Sequence, residues 1–317
     1  MTKVTIDTAQ ARIALVNDER WLSPARVTPY VQNILDEDAQ LERAFAAAGA
    51  ATDRVAWSDT AIDWAGYDAL LIRQTWDYFE RYDEFSAWLD RIDGSARVVN
   101  PIDVIRWNAD KRYLVELAEA GVPAVPTRVV KRGDSARTLA DRALEAGWND
   151  VVIKPAVSGA GRETYRVQAR PDRPASERHD PDTEALWQRL VAAEDMLIQP
   201  FVPAILDRGE VSLVVIGGEA THAVRKIAAP GEFRVQDDHG GTVHPHPVNP
   251  SERALAEQAI ATAAHRTGAS ISYARVDLVD SPNGPQVMEL ELIEPELFFR
   301  NHPPAADALA HALLTLA

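Results

Sequence analysis

The sequence predicts an α/β fold of more than one domain, and three observations carry that prediction. Apolar runs of strand length alternate with stretches of helical periodicity over the first hundred residues. A break at Asn100-Pro101 sets this part apart from the rest. Two tight turns, at Gly217-Gly218 and around Pro282-Asn283-Gly284, mark antiparallel hairpins in the last third. The length of 317 residues agrees, since roughly 150 per domain gives about two domains.

Residues 12–17 (RIALVN) form an apolar run ending in polar residues and read as a strand. Residues 38–48 put Leu41, Phe45 and Ala48 on one helical face before Gly49. A second strand covers 69–73. Phe85, Trp88, Leu89 and Ile92 then keep i, i+3, i+4, i+7 spacing, and 97–99 read as a third strand. Such repeated βα units make an open α/β sheet. Beyond the break, a helix over 109–120 stops at Gly121, with Pro123 and Pro126 just after it. The chain continues as strand 127–130, helix 135–146, strand 151–154, a glycine loop, strand 164–168, helix 183–193 and strand 196–200. Residues 169–182, rich in Pro, Arg and Asp, read as an exposed loop without chemistry. A long helix, 251–266, separates the two hairpins.

Composition narrows the function. Lys plus Arg less Asp plus Glu is 33 − 48 = −15, a field that repels nucleic acid and anionic lipid. No apolar run approaches the roughly 20 residues of a membrane span, and the first dozen residues lack the apolar core of a signal peptide. A cytoplasmic protein is expected. Cysteine is absent, so catalytic groups must be oxygen and nitrogen.

The second hairpin is the most informative segment. With its turn centred on Asn283, Asp277 pairs with Glu289 and Arg275 with Glu291, because cross-strand partners keep a constant index sum. Those four side chains share one face, while Val276, Leu278, Met288, Leu290 and Leu292 take the other. Three carboxylates repel one another, and a hard cation such as Mg²⁺ would relieve them; a solvated face partly neutralised by Arg275 is the plainer reading. The same arithmetic at Gly217-Gly218 sets Glu210 opposite Arg225, with Lys226 next. Residues 151–164 (VVIKPAVSGAGRET) run from a strand ending at Lys154 into Ser158, Gly159 and Gly161, whose amides suit phosphate oxygens. This is neither a Walker A loop nor a dinucleotide fingerprint. Arg73, Gln74 and Thr75 fall at a strand end, where α/β folds place ligands, and Trp76, Asp77 and Tyr78 follow. His244 and His246 lack a third ligand and read as structural.

In chain order these segments resemble the ATP-grasp superfamily, in its glutathione synthetase-like branch. The resemblance implies an N-terminal α/β pre-ATP-grasp domain (1–105), a small central lid domain (106–200) and a C-terminal α+β catalytic domain (201–317). It implies that Lys111 and Lys154 hold the α- and β-phosphates of ATP, with Ser158, Gly159 and Gly161 in the mobile loop over the triphosphate. Gln199, Phe201 and Val202 would meet the adenine, Glu210 the ribose, and Met288 the face of the base. Arg225, Arg234 and Lys154 would stabilise the acyl phosphate and its attacked form. Asp277, Glu289 and Glu291 match the metal triad, for Mg²⁺ or alternatively Mn²⁺. Glu291 departs from the family's usual Asn, and Ser212 stands where glutathione synthetases carry an Arg for their substrate. RQTWDY together with VMELELIEPELFF is similar to the cycloserine-forming O-ureido-serine cyclo-ligases of antibiotic biosynthesis.

The expected activity is therefore ATP-dependent, ADP-forming ligation through an acyl phosphate, on a small amino-acid-like substrate. Intramolecular closure of O-ureido-serine to cycloserine is the narrower form, with Arg73, Thr75, Trp76, Asp77 and Arg275 holding the substrate. An intermolecular amino-acid or peptide ligase and a non-catalytic ATP-binding module are the alternatives. An NAD oxidoreductase is disfavoured, because 17–23 read NDERWLS where a glycine fingerprint belongs. The acidic surface is compatible with a homo-oligomer as with a monomer.

Overall fold

The structure, a computed structural model, describes residues 11–169 and 181–315; most of the N-terminal dozen and of the 169–182 loop lie outside the described residues. Strands β1 (Arg12–Asn17), β2 (Ala51–Ala56), β3 (Ala69–Ile72) and β4 (Arg97–Val99) form a parallel sheet in the order β2-β1-β3-β4. The chain leaves β1 toward β2 and returns to the other side at β3. The carboxyl ends of β1 and β3 thus flank the topological switch point, where such sheets bind ligands. Strand β2 went unpredicted because ATDRVA carries Asp53 and Arg54 on an edge strand.

Helices α1 (Glu19–Leu22), α2 (Pro29–Ala47) and α3 (Tyr82–Ile92) connect these strands. Helix α2 begins nine residues earlier than its periodicity predicts, with Thr28 accepting the Val31 N–H and Pro29 in the first turn. The pattern hides this start because its buried face includes Glu37 and Asp38 beside Val31, Ile34 and Leu41. The helix expected over 109–120 is two, α4 (Ile102–Ala109) and α5 (Tyr113–Glu119). The chain breaks at Asp110 to Arg112, where the Lys111 N–H donates to the Ala156 carbonyl at 2.8 Å. That break frees Lys111 from the helical lattice.

A second, antiparallel sheet contains β5 (Arg128–Val130), β6 (Asp150–Pro155), β7 (Tyr165–Gln168) and β8 (Met196–Pro200) in the order β5-β8-β6-β7. Helices α6 (Leu139–Glu145) and α7 (Pro181–Ala193) cover one face, burying Leu139, Trp187, Leu190 and Ile198. The other face looks onto the third sheet.

That sheet follows the short helix α8 (Ala204–Arg208). It comprises β9 (Glu210–Ile216), β10 (Glu219–Ile227), β11 (Thr242–His246), β12 (Tyr273–Ser281) and β13 (Gly284–Glu291), ordered β11-β10-β9-β12-β13. Helix α9 (Pro250–Thr267), opened by the Asn249/Glu252 capping box, lays small residues Ala256, Ala259 and Ala263 on the core beneath. Leu114 and Leu117 of α5 join that core. Helix α10 (Pro304–Thr315) packs Leu309 and Leu313 beside Leu41 and Phe45 of α2. The sequence break at Asn100-Pro101 is a bolt between sheets. The Asn100 amide donates to the Tyr273 and Leu292 carbonyls at 2.9 Å and accepts from Ser272 N–H at 2.6 Å.

Both hairpins contain a bulge, and each bulge decides a face. At Gly217-Gly218, Ile216 pairs with Glu219 as expected, but the register shifts by one between Ala220 and His222. Lys226, not Arg225, therefore faces Glu210. At the second hairpin, Ser281 pairs with Gly284 around a two-residue turn at Pro282-Asn283, and the shift between Asp277 and Leu278 restores the pairs Asp277–Glu289 and Arg275–Glu291. The expected acidic face survives because Met288 is the extra residue. Val287 and Leu290 stay buried, and Met288 joins Glu289 on the open side.

Candidate active site

The second and third sheets enclose a cleft of about 210 Å³, closed at one end by Trp76 and Phe79 from the N-terminal part. On β6, alternation sends Val151 and Ile153 into the core, and Val152 and Lys154 into the cleft. Lys154 is 8% exposed, and no hydrogen bond or ion pair to its ammonium is found among the described residues. Burial lowers its pKa against the pull of Glu289, and Lys111 lowers it further. Lys111 reaches the Ser158 carbonyl at 2.5 Å and Glu289 at 2.6 Å. On β8, Gln199 donates to Thr127 Oγ1 at 2.9 Å, and Phe201 and Val202 line the cleft just beyond.

The loop after β6 folds over this floor. Arg162 N–H donates to the Gly159 carbonyl, and Ser158 Oγ to the Arg162 carbonyl. Gly161 has φ +68°, which favours glycine, and Gly159 lies so close to Phe79 that a Cβ would stand 2.4 Å from its Cε1. Gly159→Ala is therefore expected to push the loop off Phe79. Overpacking of about 1–3 kcal/mol corresponds to a rise in KM for ATP of roughly ten- to a hundredfold. Steady-state kinetics at saturating second substrate measures it, and Gly159→Ala/Phe79→Leu is expected to recover most of the loss.

The opposite wall carries the charge. Glu210 meets Lys226 at 2.6 Å, and Lys226 also meets Asp277 at 3.1 Å. Arg275 grips both oxygens of Asp277, at 2.9 and 2.8 Å, and bonds Glu291; Ser212 donates to Asp277 Oδ1 at 2.6 Å. Burial opposes ionisation of Asp277, but Arg275 and Lys226 outweigh it and hold its pKa well below the usual range. Burial pushes Glu291 up to about 8 and Glu294 and Glu210 up to about 7, each only partly offset by the cations beside it. The mutual repulsion expected of this face is thus relieved in large part by Lys111, Lys226 and Arg275.

Asp277 lies beneath the cleft with both oxygens engaged, so of the predicted metal residues only Glu289 and Glu291 line the open space. Among the described residues, no three His, Cys, Asp or Glu side chains gather closely enough to hold a metal ion by themselves. The donor set nevertheless fits a hard divalent ion, because Glu289 and Glu291 offer oxygen alone and burial disfavours the charge on Glu291 and Glu294, which a divalent cation would favour. Such ions are held by one or two carboxylates together with substrate phosphates.

The cleft brings together Lys111, Lys154, Ser158, Gly159, Gly161, Gln199, Phe201, Val202, Glu210, Arg234, Arg275, Met288, Glu289, Glu291 and Trp76. Arg234 also bonds Glu232 at 2.6 Å, which holds that carboxyl at about 2. Arg225 is not among them. The bulge turns it to the other face, where it donates to the Arg208 carbonyl and lies 3.8 Å from Asp280. Arg73 is fully buried on Glu37, at 2.6 Å, and the Pro295 carbonyl. Thr75 is fully buried outside the cleft, and Asp77 is turned inward onto Trp57 Nε1 and Arg81. His244 and His246 bond Thr242 and Glu252, away from the cleft. Sequence reasoning missed Lys226, whose signal was the bulge, and Asn108 and Tyr113, which anchor Leu290 and Leu292 at the end of β13. It also missed Glu294 and Glu296, on a loop that no periodicity describes.

His222 holds that loop by bonding the Leu297 carbonyl at 2.9 Å and stacking on His302. Burial lowers its pKa from 6.5 to about 4, so between those values the unfolded chain binds more protons and stability rises with pH. Folding stability is expected to fall by about 2 kcal/mol from pH 7 to pH 5 through this group. Denaturant titrations of the wild type and His222→Gln check it, the variant showing a flatter pH dependence.

Residues 13–100 match the family described as the N-terminal domain of D-cycloserine synthetase DcsG, and residues 122–294 match the ATP-grasp domain of prokaryotic glutathione synthetase. The chain is 32% identical to the cycloserine biosynthesis protein DcsG of Streptomyces lavendulae, over 81% of this chain and 86% of that protein. It is 28% identical to the glutathione synthetase of Ralstonia nicotianae, over 56% of this chain and 50% of that protein. The crystal structure of D-cycloserine synthetase DcsG superposes with a TM-score of 0.80 at 29% identity, covering 96% of this chain and 99% of that one. No helix among the described residues is long and apolar enough to cross a membrane.

Proposed function

The chain belongs to the ATP-grasp ligases, enzymes that use ATP and a divalent metal, and from that membership we propose that it closes a single amino-acid-like molecule, O-ureido-serine, into the five-membered ring of cycloserine. The observation that carries this reading is the N-terminal match over 13–100 to the DcsG domain, since the ATP-grasp match over 122–294 is shared with glutathione synthetases.

In this reaction a carboxylate oxygen attacks the γ-phosphorus of ATP, the β–γ bridging bond breaks, and ADP leaves. The oxygen-bound nitrogen of the ureido group then attacks the acyl carbon, loses its proton, and phosphate departs; hydrolysis removes the carbamoyl group from the ring nitrogen. Lys111 and Lys154 hold the triphosphate beneath the loop 158–161, Gln199, Phe201, Val202 and Met288 receive the base, and Glu210 the ribose. Lys154 and Arg234 face the charge that grows on the phosphoryl and acyl oxygens, where fixed cations in a dry cleft act most strongly. Arg275 sets Asp277 and Glu291. When bound, a divalent cation, here Mg²⁺, neutralises phosphate charge; Glu289 and Glu291 would hold it.

The test is phosphate release with O-ureido-D-serine against a panel of amino-acid pairs. Release with the single compound, and ring product by mass spectrometry, supports cyclisation. Release only with pairs of amino acids assigns an intermolecular ligase instead.

A further inference from the structure

We propose that a recess beside the cleft, at the carboxyl end of the parallel sheet, is a subsite for a primary ammonium group and receives the amino group of the substrate. The proposal rests on the amino-acid ligase reading above and names the end of the substrate that is recognised. The recess has room for a single water-sized group and adjoins the main cleft, with which it shares Tyr30, Trp76, Asp237 and Glu296.

Three carboxylates from three segments line it: Glu37 of α2, Asp237 ahead of β11, and Glu296 after β13. Arg73 pairs with Glu37 at 2.6 Å, and Arg300 serves both Glu296 and Asp237. With all three carboxyls ionised, three negative charges meet two positive ones, and the recess is one positive charge short. Three further atoms, on two side chains, point to what is missing. Gln74 is fully buried against the recess with both amide atoms unbonded, and Glu37, 2% exposed, leaves Oε2 unbonded. Buried polar groups are rarely left so.

A primary ammonium supplies what these groups lack. It carries one positive charge and three donors on an atom the size of a water, which suits Glu37 Oε2, Gln74 Oε1 and one of the remaining carboxylates. A water would satisfy the acceptors but not the charge, and an anion would face three carboxylates. The rings of Tyr30 and Trp76, stacked at 6.3 Å between centroids, border the space with the electron-rich surface that cations favour. Burial, reinforced by Glu296, pushes Glu37 up to about 7, as expected where negative charge lacks compensation. With its ammonium seated here, the substrate keeps its carboxylate in the main cleft, among Lys154, Lys226, Arg234 and Arg275.

Calorimetric titration of O-ureido-D-serine, D-alanine and 3-(ureidooxy)propanoic acid, the last being the first without its amine, tests this. The protein is the full chain with Mg²⁺ and a non-hydrolysable ATP analogue. The wild type is expected to bind O-ureido-D-serine roughly a hundredfold more tightly than the compound without the amine. Gln74→Met, which gives up no hydrogen bond in the free protein, is expected to keep the melting temperature and nucleotide affinity and to lose about tenfold in that binding. Glu37→Gln and Glu296→Gln should lose at least as much. Equal binding of the amine and its analogue, unchanged binding in Gln74→Met and Glu296→Gln, or no binding of either amino compound overturns the proposal. Amine-dependent binding here, together with no phosphate release from O-ureido-D-serine when ATP replaces the analogue, overturns the cyclo-ligase reading and leaves the subsite standing.

Discussion

Lys154→Met is expected to lower kcat for ATP-dependent phosphate release by roughly 10³-fold while the melting temperature holds or rises. Both effects have one cause. The Lys154 ammonium is buried at the floor of the cleft with no hydrogen bond or ion pair among the described residues, and burial outweighs the pull of Glu289 and lowers its pKa. A buried cation without a bonded partner destabilises the empty protein and awaits an anion, so removing it relieves the fold and disables the reaction together. Phosphate release and thermal melting on the same preparation check the pair. A variant that keeps its kcat, or melts several degrees lower, would show that Lys154 serves the core and not the triphosphate.

For Lys226→Met the expected loss is in stability, about 3–5 kcal/mol, because Glu210 and Asp277 are then left buried without the cation between them. Pairing Lys226→Met with Glu210→Gln is expected to recover much of this, since one of the stranded charges is removed as well. Arg225→Ala, one residue away on the outer face of the same strand, is expected to stay within about 0.5 kcal/mol of the wild type. Chemical denaturation of the four proteins measures the series. If Arg225→Ala were the costly change, the register drawn between β9 and β10 would be wrong.

That register shows where sequence reasoning succeeds and where it stops. The Gly217-Gly218 turn identified the hairpin and the pair Ile216–Glu219, but simple arithmetic carried past a bulge put Arg225 where Lys226 belongs. The second hairpin has a bulge too. There the assumed three-residue turn and the real two-residue turn with its extra Met288 give the same partners for Arg275 and Asp277, so the acidic face was legible. Lys111 was legible as a residue but not as an aim, since only the contact of its N–H with the Ala156 carbonyl breaks α4 from α5 and turns the side chain inward. Glu37 was hidden altogether, because a carboxylate on the buried face of α2 reads as a solvated one.

The sequence by itself determined the alternation of strands and helices, the two hairpins, the shared face of Arg275, Asp277, Glu289 and Glu291, and the order of segments that marks the family. Each depends on periodicity or turn chemistry, which act between near neighbours along the chain. Only the tertiary structure decided which cations neutralise that face, that Asp277 is spent on Ser212, Lys226 and Arg275, and that Glu37, Asp237 and Glu296 converge on one recess. Charges and bulges answer to partners tens or hundreds of residues away, and burial, which sets how strongly they interact, exists only once the sheets have packed.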